Sequence, residues 1–197
     1  MRKQACSTHA WDEKREQKWA NPVTGTSPHF WSRAVGWYAW ALVDVLDYLP
    51  NDHPKRMALI AILQRLSKAL LDCREPRTGL WYQVLDQGNR AGNYLEASGS
   101  CMFVYAFAKG AEKGYLDKSY YTIAKESFKG IIDSLVTVDV DGKVNLNHAC
   151  QGAGLGGYPY RDGGYEYYIG ERQRTNDFKA IGPFILAALE LEKGAPQ

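Results

Sequence analysis

Apolar positions recur every three or four residues along five stretches of the chain, the period of an amphipathic helix. They predict helices over His29–Pro50, His53–Arg74, Glu96–Gly114, Lys118–Val136 and Phe178–Lys193. Ser27 and Pro28 open the first with a cap-type residue and an initiating proline, and Asn51, Asp52 and Pro54 close it. In the second, Met57, Ile60, Leu63, Leu66 and Leu70 form the inward stripe, with Lys55, Arg56, Arg65 and Lys68 outside it. The third starts small and polar, Glu96 to Ser100, and then turns apolar all round. That pattern predicts burial on most sides, with room for something to approach the helix at its N-terminal end. Tyr121, Ala124, Phe128, Ile131 and Leu135 are the inward stripe of the fourth, and Gly194 ends the last. Period-two patterning is confined to short pieces: LWYQVLD from Leu80, and VTVDVDGKVNL, a hairpin around Asp141-Gly142. A glycine- and tyrosine-rich loop fills His148–Asp177.

The order of these pieces repeats. A loop with a strand-like piece leads into a very apolar helix, and a plainer amphipathic helix follows, at His9–Pro54, at Leu80–Lys118 and, by half, at Val144–Lys193. Inner helices walled off by outer ones suggest a toroid of helical hairpins, all-α with short β-hairpins in its loops. The mouths of the inner helices then share one rim, which gathers Arg33, Trp37, Glu96, Ser98 and Lys179 into a cleft.

Composition narrows the picture. A chain of 197 residues is one domain by length, 1–197, and 45% hydrophobic against 23% charged is ordinary globular content. A net charge of +2 with no Lys/Arg run argues against nucleic acid as a partner. The apolar runs are too short to span a membrane. Cys6, Cys73, Cys101 and Cys150 form no C-x-x-C pair, and no secretory apolar segment precedes the first motif, so a cytoplasmic protein with reduced thiols is the expectation. The 13 Tyr and 6 Trp, many in loops, suit either a sugar site or loop packing.

The first turns of the first helix carry Trp31, Arg33, Trp37 and Trp40. Arg33 and Trp37 stand four apart, on one helical face. A guanidinium between indole rings suits a flat, oxygen-rich anion, because Arg grips a carboxylate with two parallel hydrogen bonds and Trp offers an apolar face. Core packing with a capped surface arginine explains the same spacing. His9, beside Trp11 and Asp12, is placed to orient or protonate a substrate group, or to be a solvated bystander. Gly152, Gly154 and Gly157 spell G-x-G-x-x-G, but no strand is expected to lead into them and Pro159 follows where a helix should open, so a dinucleotide site is excluded. Asp139 and Asp141 are turn residues rather than a calcium loop. No cofactor and no metal site is expected.

The segments THAWDEK, SPHFWSRAVGWYAWALVDVLDYLP, EASGSCMFVYAFAKG and CQGAGLGGYPYRDGGYEYYIGERQRTNDFKAIGPFILA resemble the unsaturated rhamnogalacturonyl hydrolases, glycoside hydrolase family 105, nearly end to end. The resemblance implies an (α/α)6 barrel that removes a 4,5-unsaturated galacturonyl residue from pectin fragments. The chemistry it implies is hydration of the enol-ether double bond: a carboxylic acid protonates the alkene, water adds and the hemiketal falls apart. This differs from the two-carboxylate scheme of ordinary glycosidases. By resemblance His9, Trp31, Arg33 and Trp37 bind the unsaturated uronyl oligosaccharide, with Arg33 on its carboxylate. The family's general-acid aspartate and a second essential aspartate precede H-x-W-D-E, so the catalytic acid is not identified in this chain and Asp12 does not correspond to it. Five long helices against the twelve of a barrel imply its C-terminal half. Such a half is expected to self-associate or to pair with a missing N-terminal half. The alternatives are a non-catalytic remnant that binds acidic sugars, and a helical scaffold for protein partners.

Overall fold

The computed structural model describes residues 9–194. Cys6 and the threonine that opens the first motif lie outside them. Four long helices come first: α1 (Ser32–Tyr48), α2 (Arg56–Asp72), α3 (Ala97–Glu112) and α4 (Ser119–Leu135). The hairpin strands β1 (Val136–Val138) and β2 (Val144–Leu146) follow, then β3 (Ala149–Cys150), the short α5 (Tyr165–Gly170), β4 (Gln173–Arg174) and α6 (Phe178–Glu192). The protein is mostly helical, and no helix among the described residues is long and apolar enough to cross a membrane.

α3 is the axis of the packing. It lies between α1 and α6, with α4 against it as well, and every residue from Ala97 to Ala111 is buried. The all-round apolar pattern has its cause here: a helix with neighbours on every side has no face left for water. Gly36 of α1 and Gly99 of α3 let the two helices meet closely, since an added Cβ at Gly36 would sit 2.8 Å from the Met102 sulfur. Trp81, at the start of the piece before α3, is fully buried, wedged edge-on to Phe103 and Phe107 at 5.1 and 5.8 Å. Its indole N–H donates to the Leu70 carbonyl at 2.7 Å, which satisfies its polar end inside the core. β1 and β2 pair antiparallel about Gly142, whose φ of +83° suits a residue without Cβ.

The structure corrects several boundaries. The first helix begins at Ser32, three residues later than its sequence signals predict. Residues 30 and 31 are held against another segment, with Trp31 extended: Leu85 N–H donates to Phe30 O at 3.1 Å, and the N–H of Ser32, the first helical residue, to Gln83 O at 2.9 Å. Ser27 therefore caps nothing, and its hydroxyl faces His29 O and His9. Met57 is exposed, so the α2 stripe starts at Ile60. Arg56, expected to point away, reaches back to donate to Leu46 O and Leu49 O at 2.7 Å each, closing the carbonyl end of α1. The loop after His148 holds α5 and the two-residue pair β3–β4, registered Ala149↔Arg174 and Cys150↔Gln173. β3 does lead into the glycine triplet, contrary to expectation, but turn residues follow Gly157 and no helix opens there.

Candidate functional site

Three loops meet above the N-terminal ends of α1, α3 and α6, and contacts of large sequence separation tie them together. His9 sits at their junction. Its Nδ1 lies 2.8 Å from the His29 carbonyl, which only accepts, and 3.3 Å from the Trp31 N–H, which only donates; the shorter contact puts the proton on Nδ1. Nε2 is then an acceptor, and the Tyr168 hydroxyl donates to it at 2.9 Å. Burial holds His9 below the ordinary histidine range, opposed by the bond to His29 O, so the ring is neutral at pH 7. His9 thus orients and accepts; it does not carry a spare proton into the cleft.

Its sequence neighbours serve the loop. Trp11 is exposed, with its indole N–H on Thr24 O at 3.0 Å. Asp12 folds the turn behind it, accepting from the amides of Gln17, Glu16 and Lys14, and these bonds hold its carboxyl below the usual range. A carboxylate spent on three amides is a poor proton donor.

Trp31 links the junction to the helix mouths. Its ring stacks on Tyr168 with centroids 6.2 Å apart, and its indole N–H donates to Gln83 Oε1 at 3.2 Å. Gln83 is itself buried and passes its amide N–H to Tyr168 O at 3.1 Å. The Arg33 guanidinium lies 5.1 Å from the Trp31 ring centroid, within cation–π range. Arg33 is 1% exposed. Its Nη1 donates to Ser98 Oγ at 3.4 Å, and its Nη2 is buried with no hydrogen-bond partner.

Behind Ser98 stands Glu96, which caps α3. The Ser98 hydroxyl lies 2.7 and 2.8 Å from the two carboxylate oxygens, while Gly99 N–H donates at 2.7 Å and Cys150 N–H at 3.0 Å. The small polar start of the third helix is thus a nest for one buried carboxylate. Burial and the charge of Glu96 push the Cys150 thiol up, and burial, Cys150 and Glu96 do the same to the Tyr94 hydroxyl. Both groups stay neutral and inert at physiological pH.

The rim is gathered in part. Arg33, Ser98 and Glu96 touch in series. Lys179 reaches it through Asp177, its Nζ 2.7 Å from the carboxylate. Against the cost of burial, Lys179 and Arg33 hold that carboxyl below the usual range. Trp37 stands apart: its ring stacks on Trp40 at 5.2 Å, and it is 46% exposed on the flank of α1. The guanidinium therefore lies on one indole, Trp31, rather than between two. Long side chains lean toward the helix N-terminus, which carries Arg33 over the mouth while Trp37, a turn lower, stays on the side. Tyr168 and Gln83 escape sequence reasoning, since nothing in their spacing marks them. A trough of about 1540 Å³ opens elsewhere, bounded by Trp19, His29, Arg77 and Tyr82 and touching none of Trp31, Arg33, Glu96 or Ser98. The convergence of buried charge and an unpartnered donor nonetheless favours the Arg33 cluster as the place for chemistry. Among the described residues no three His, Cys, Asp or Glu side chains group to hold a metal ion.

Residues 3–195 match glycosyl hydrolase family 88. A glycoside hydrolase from family 105 of C. acetobutylicum ATCC 824 superposes with a TM-score of 0.95 at 48% identity, covering 98% of this chain and 54% of that one. The chain belongs to the glycoside hydrolases of families 88 and 105. Among relatives of this glycoside hydrolase is a 24.9 kDa protein in the picA locus of Rhizobium radiobacter, 39% identical over 191 residues, 92% of this chain and 80% of that protein. An unsaturated 3S-rhamnoglycuronyl hydrolase of Formosa agariphila is 32% identical over 105 residues, 53% of this chain and 27% of its own length. The chain thus spans about half the length of the solved family 105 structure, and most of the length of the shorter relative.

Proposed function

We propose that the wall formed by His9, Trp31 and Arg33, with Trp37 at its edge, receives the unsaturated uronyl group of pectin-derived oligosaccharides such as rhamnogalacturonan fragments. The observation that carries this is the Arg33 guanidinium: buried, charged, seated on an indole, with Nη2 unpartnered. A buried cation with a free N–H calls for an anion, and a planar carboxylate fits its fork. His9, fixed in one tautomer by His29 O and Tyr168, presents a neutral face beside it, and the half-exposed Trp37 indole offers a surface for a sugar ring. The Formosa relative's name, an unsaturated rhamnoglycuronyl hydrolase, supports the same substrate class.

The reaction proposed for the intact site is hydration of the 4,5 double bond, which needs a proton on the alkene. Neither His9 nor Asp12 nor Glu96 fits that role. His9 is neutral with its one N–H donated to a carbonyl, Asp12 is engaged with amides, and Glu96 is enclosed by three donors. The helix order supports a matching reading of the fold: α1, α3 and α6 side by side, with α2 and α4 outside them, as the C-terminal half of an (α/α)6 ring. The lack of a donor favours, as a second reading, a chain that grips acidic sugars without turning them over.

Calorimetry with an unsaturated digalacturonide tests both. Binding is expected, weakened roughly 10- to 100-fold in Arg33→Ala, the worth of about 1.5–3 kcal/mol for a hydrogen bond to a charged group. Loss of the alkene's ultraviolet absorbance in the presence of the pure chain would select the hydrolase, and binding with steady absorbance the sugar-binding form. Affinity unchanged in both Arg33→Ala and Trp37→Ala, or no affinity at all, would overturn the site and leave a helical scaffold.

A further inference from the structure

The two outermost helices of the inner row each present an apolar flank with no partner among the described residues. On α1 it consists of Ala34, Tyr38, Ala41, Val45 and Tyr48, with Trp37 beside them, and Tyr48 is 89% exposed. On α6 it consists of Phe178, Ile185 and Leu189, with Phe178 also 89% exposed. α3 shows what an inner helix looks like with neighbours on both sides: buried from Ala97 to Ala111. α1 and α6 each have an inner neighbour on one side only, and on the other they carry large apolar side chains where a surface helix carries charge. Contiguous patches of this kind mark interfaces.

We propose that a second copy of this chain covers both flanks, the α1 flank of each copy meeting the α6 flank of the other to close a two-fold ring. Three observations point to a second copy. The stripes match in step, since Ala34, Ala41 and Val45 are spaced as Phe178, Ile185 and Leu189 are. At these three positions they also match in size, the smaller Ala34, Ala41 and Val45 against the larger Phe178, Ile185 and Leu189, as knobs entering holes require, with Tyr38 and Tyr48 between and beyond them on α1. The loops before α1, α3 and α6 are bonded to one another at one end, as in His9–Tyr168 and Trp31–Gln83, so α1 and α6 run in the same direction. A rotation of 180° about the ring axis then sets α1 parallel to the partner's α6 twice over, and a head-to-tail contact that closes after two copies leaves no flank bare. The joint would bring Phe178 of one copy to Trp37 of the other at the mouth, completing the cleft's edge from both sides. This rests on the half-ring reading of the fold and not on the identity of the sugar.

Sedimentation and light scattering of the 197-residue chain, without sugar, test it. The expected mass is twice the 22.2 kDa of one chain. Val45→Glu and Leu189→Glu, each at a half-exposed position that a single copy tolerates, should separately reduce it to one chain with the helical circular dichroism unchanged. Ile132→Glu, exposed on the outer α4, should leave the pair intact. A wild-type mass of one chain, a mass above two, or a pair that survives either flank substitution overturns the proposal. An α1-to-α1 dimer, for instance, would ignore Leu189→Glu. Sugar affinity retained by a monomeric wild-type chain would overturn the ring alone, and a dimer without sugar affinity would overturn the uronate site alone.

Discussion

The Tyr168 hydroxyl donates to Nε2 of His9 at 2.9 Å, joining the first described residue to the loop before the last helix. With Tyr168 as the donor the bond requires a neutral His9, and burial lowers the His9 pKa from the model-peptide value of 6.5. The sign follows from linkage: a base whose folded pKa lies below its unfolded one takes up protons more readily when unfolded. His9 therefore contributes full stability above pH 6.5 and loses it as pH falls from there toward its folded pKa. His29, partly buried and lowered from 6.5 by that burial, acts in the same direction. Urea midpoints should fall between pH 7 and pH 5.5, and His9→Gln should flatten part of that slope while leaving the share of His29. A slope identical in the two proteins would show that His9 is not held neutral.

Glu96 is the counterweight to Arg33. With Glu96→Ala, the amides of Gly99 and Cys150 and the Ser98 hydroxyl lose their acceptor, and the buried guanidinium loses the anion behind Ser98. Stranding a buried charge and several donors costs about 3–5 kcal/mol. Chemical denaturation should show a loss of that size for Glu96→Ala, with Glu96→Gln between the two because its carbonyl still accepts. If both variants stay within about 0.5 kcal/mol of wild type, the change belongs to an ordinary surface position and the buried network is wrong.

How far the sequence anticipates this differs by residue, and the reason is geometric. The all-round apolar run from Cys101 to Ala111 states in one dimension that α3 is central, and the burial of every one of those positions agrees. Arg33 with Ser98 and Glu96 was legible because each opens a helix, and helix mouths at one end of a repeat must converge. Tyr168 and Gln83 were not, since a hydrogen bond spanning 85 residues leaves no local period. The displaced start of α1 failed for a related cause: Ser27 and Pro28 are correct local signals, overruled by the backbone pairing of residues 30–32 with 83–85. Trp37 was placed on the right helix but given the wrong neighbour, because i,i+4 spacing gives a shared face and not the direction in which two long side chains lean.

Where α1 crosses α3, Gly99 faces Ser32. A Cβ on Gly99 would run into the Ser32 hydroxyl and stand 3.0 Å from its carbonyl carbon. Backbone cannot retreat as a flexible side chain would, so Gly99→Ala should destabilise despite the better helix propensity of alanine, by about 1–3 kcal/mol as overpacking does. Ser32→Ala removes one of the clashing atoms, an oxygen without a hydrogen-bond partner, so the double variant should recover part of the loss. A melting temperature in Gly99→Ala at or above wild type would mean that the helices are farther apart than this contact requires.

Farther down the same helix pair, Lys109 of α3 is the cation that holds α1. Its buried ammonium lies 2.7 Å from Asp44 and 2.6 Å from Asp47, and 3.1 Å from the Tyr105 hydroxyl, which in turn donates to Asp44 at 2.7 Å. Trp40 adds its indole N–H to the same Asp44 carboxylate at 2.6 Å. Against its burial, Asp44 and Asp47 raise the Lys109 pKa well above 10.5, so the charge persists at any pH the protein meets. Burial and the bond to Asp44 likewise push the Tyr105 hydroxyl to about 12. Lys109→Met keeps the packing of the stem but leaves two carboxylates facing each other across one turn of α1. Both are about one-third exposed, so water screens much of their repulsion and the loss should be nearer 1–2 kcal/mol than the larger figure for a fully buried pair. The same screening predicts a distinct signature. Without the ammonium the two carboxylates repel, and salt screens that repulsion, so the variant should regain stability as ionic strength rises, while wild type, whose carboxylates are paired with Lys109, should not. Denaturation midpoints of the two proteins should therefore converge as salt is added, and a constant gap across that range would place the Lys109 contribution in packing rather than charge.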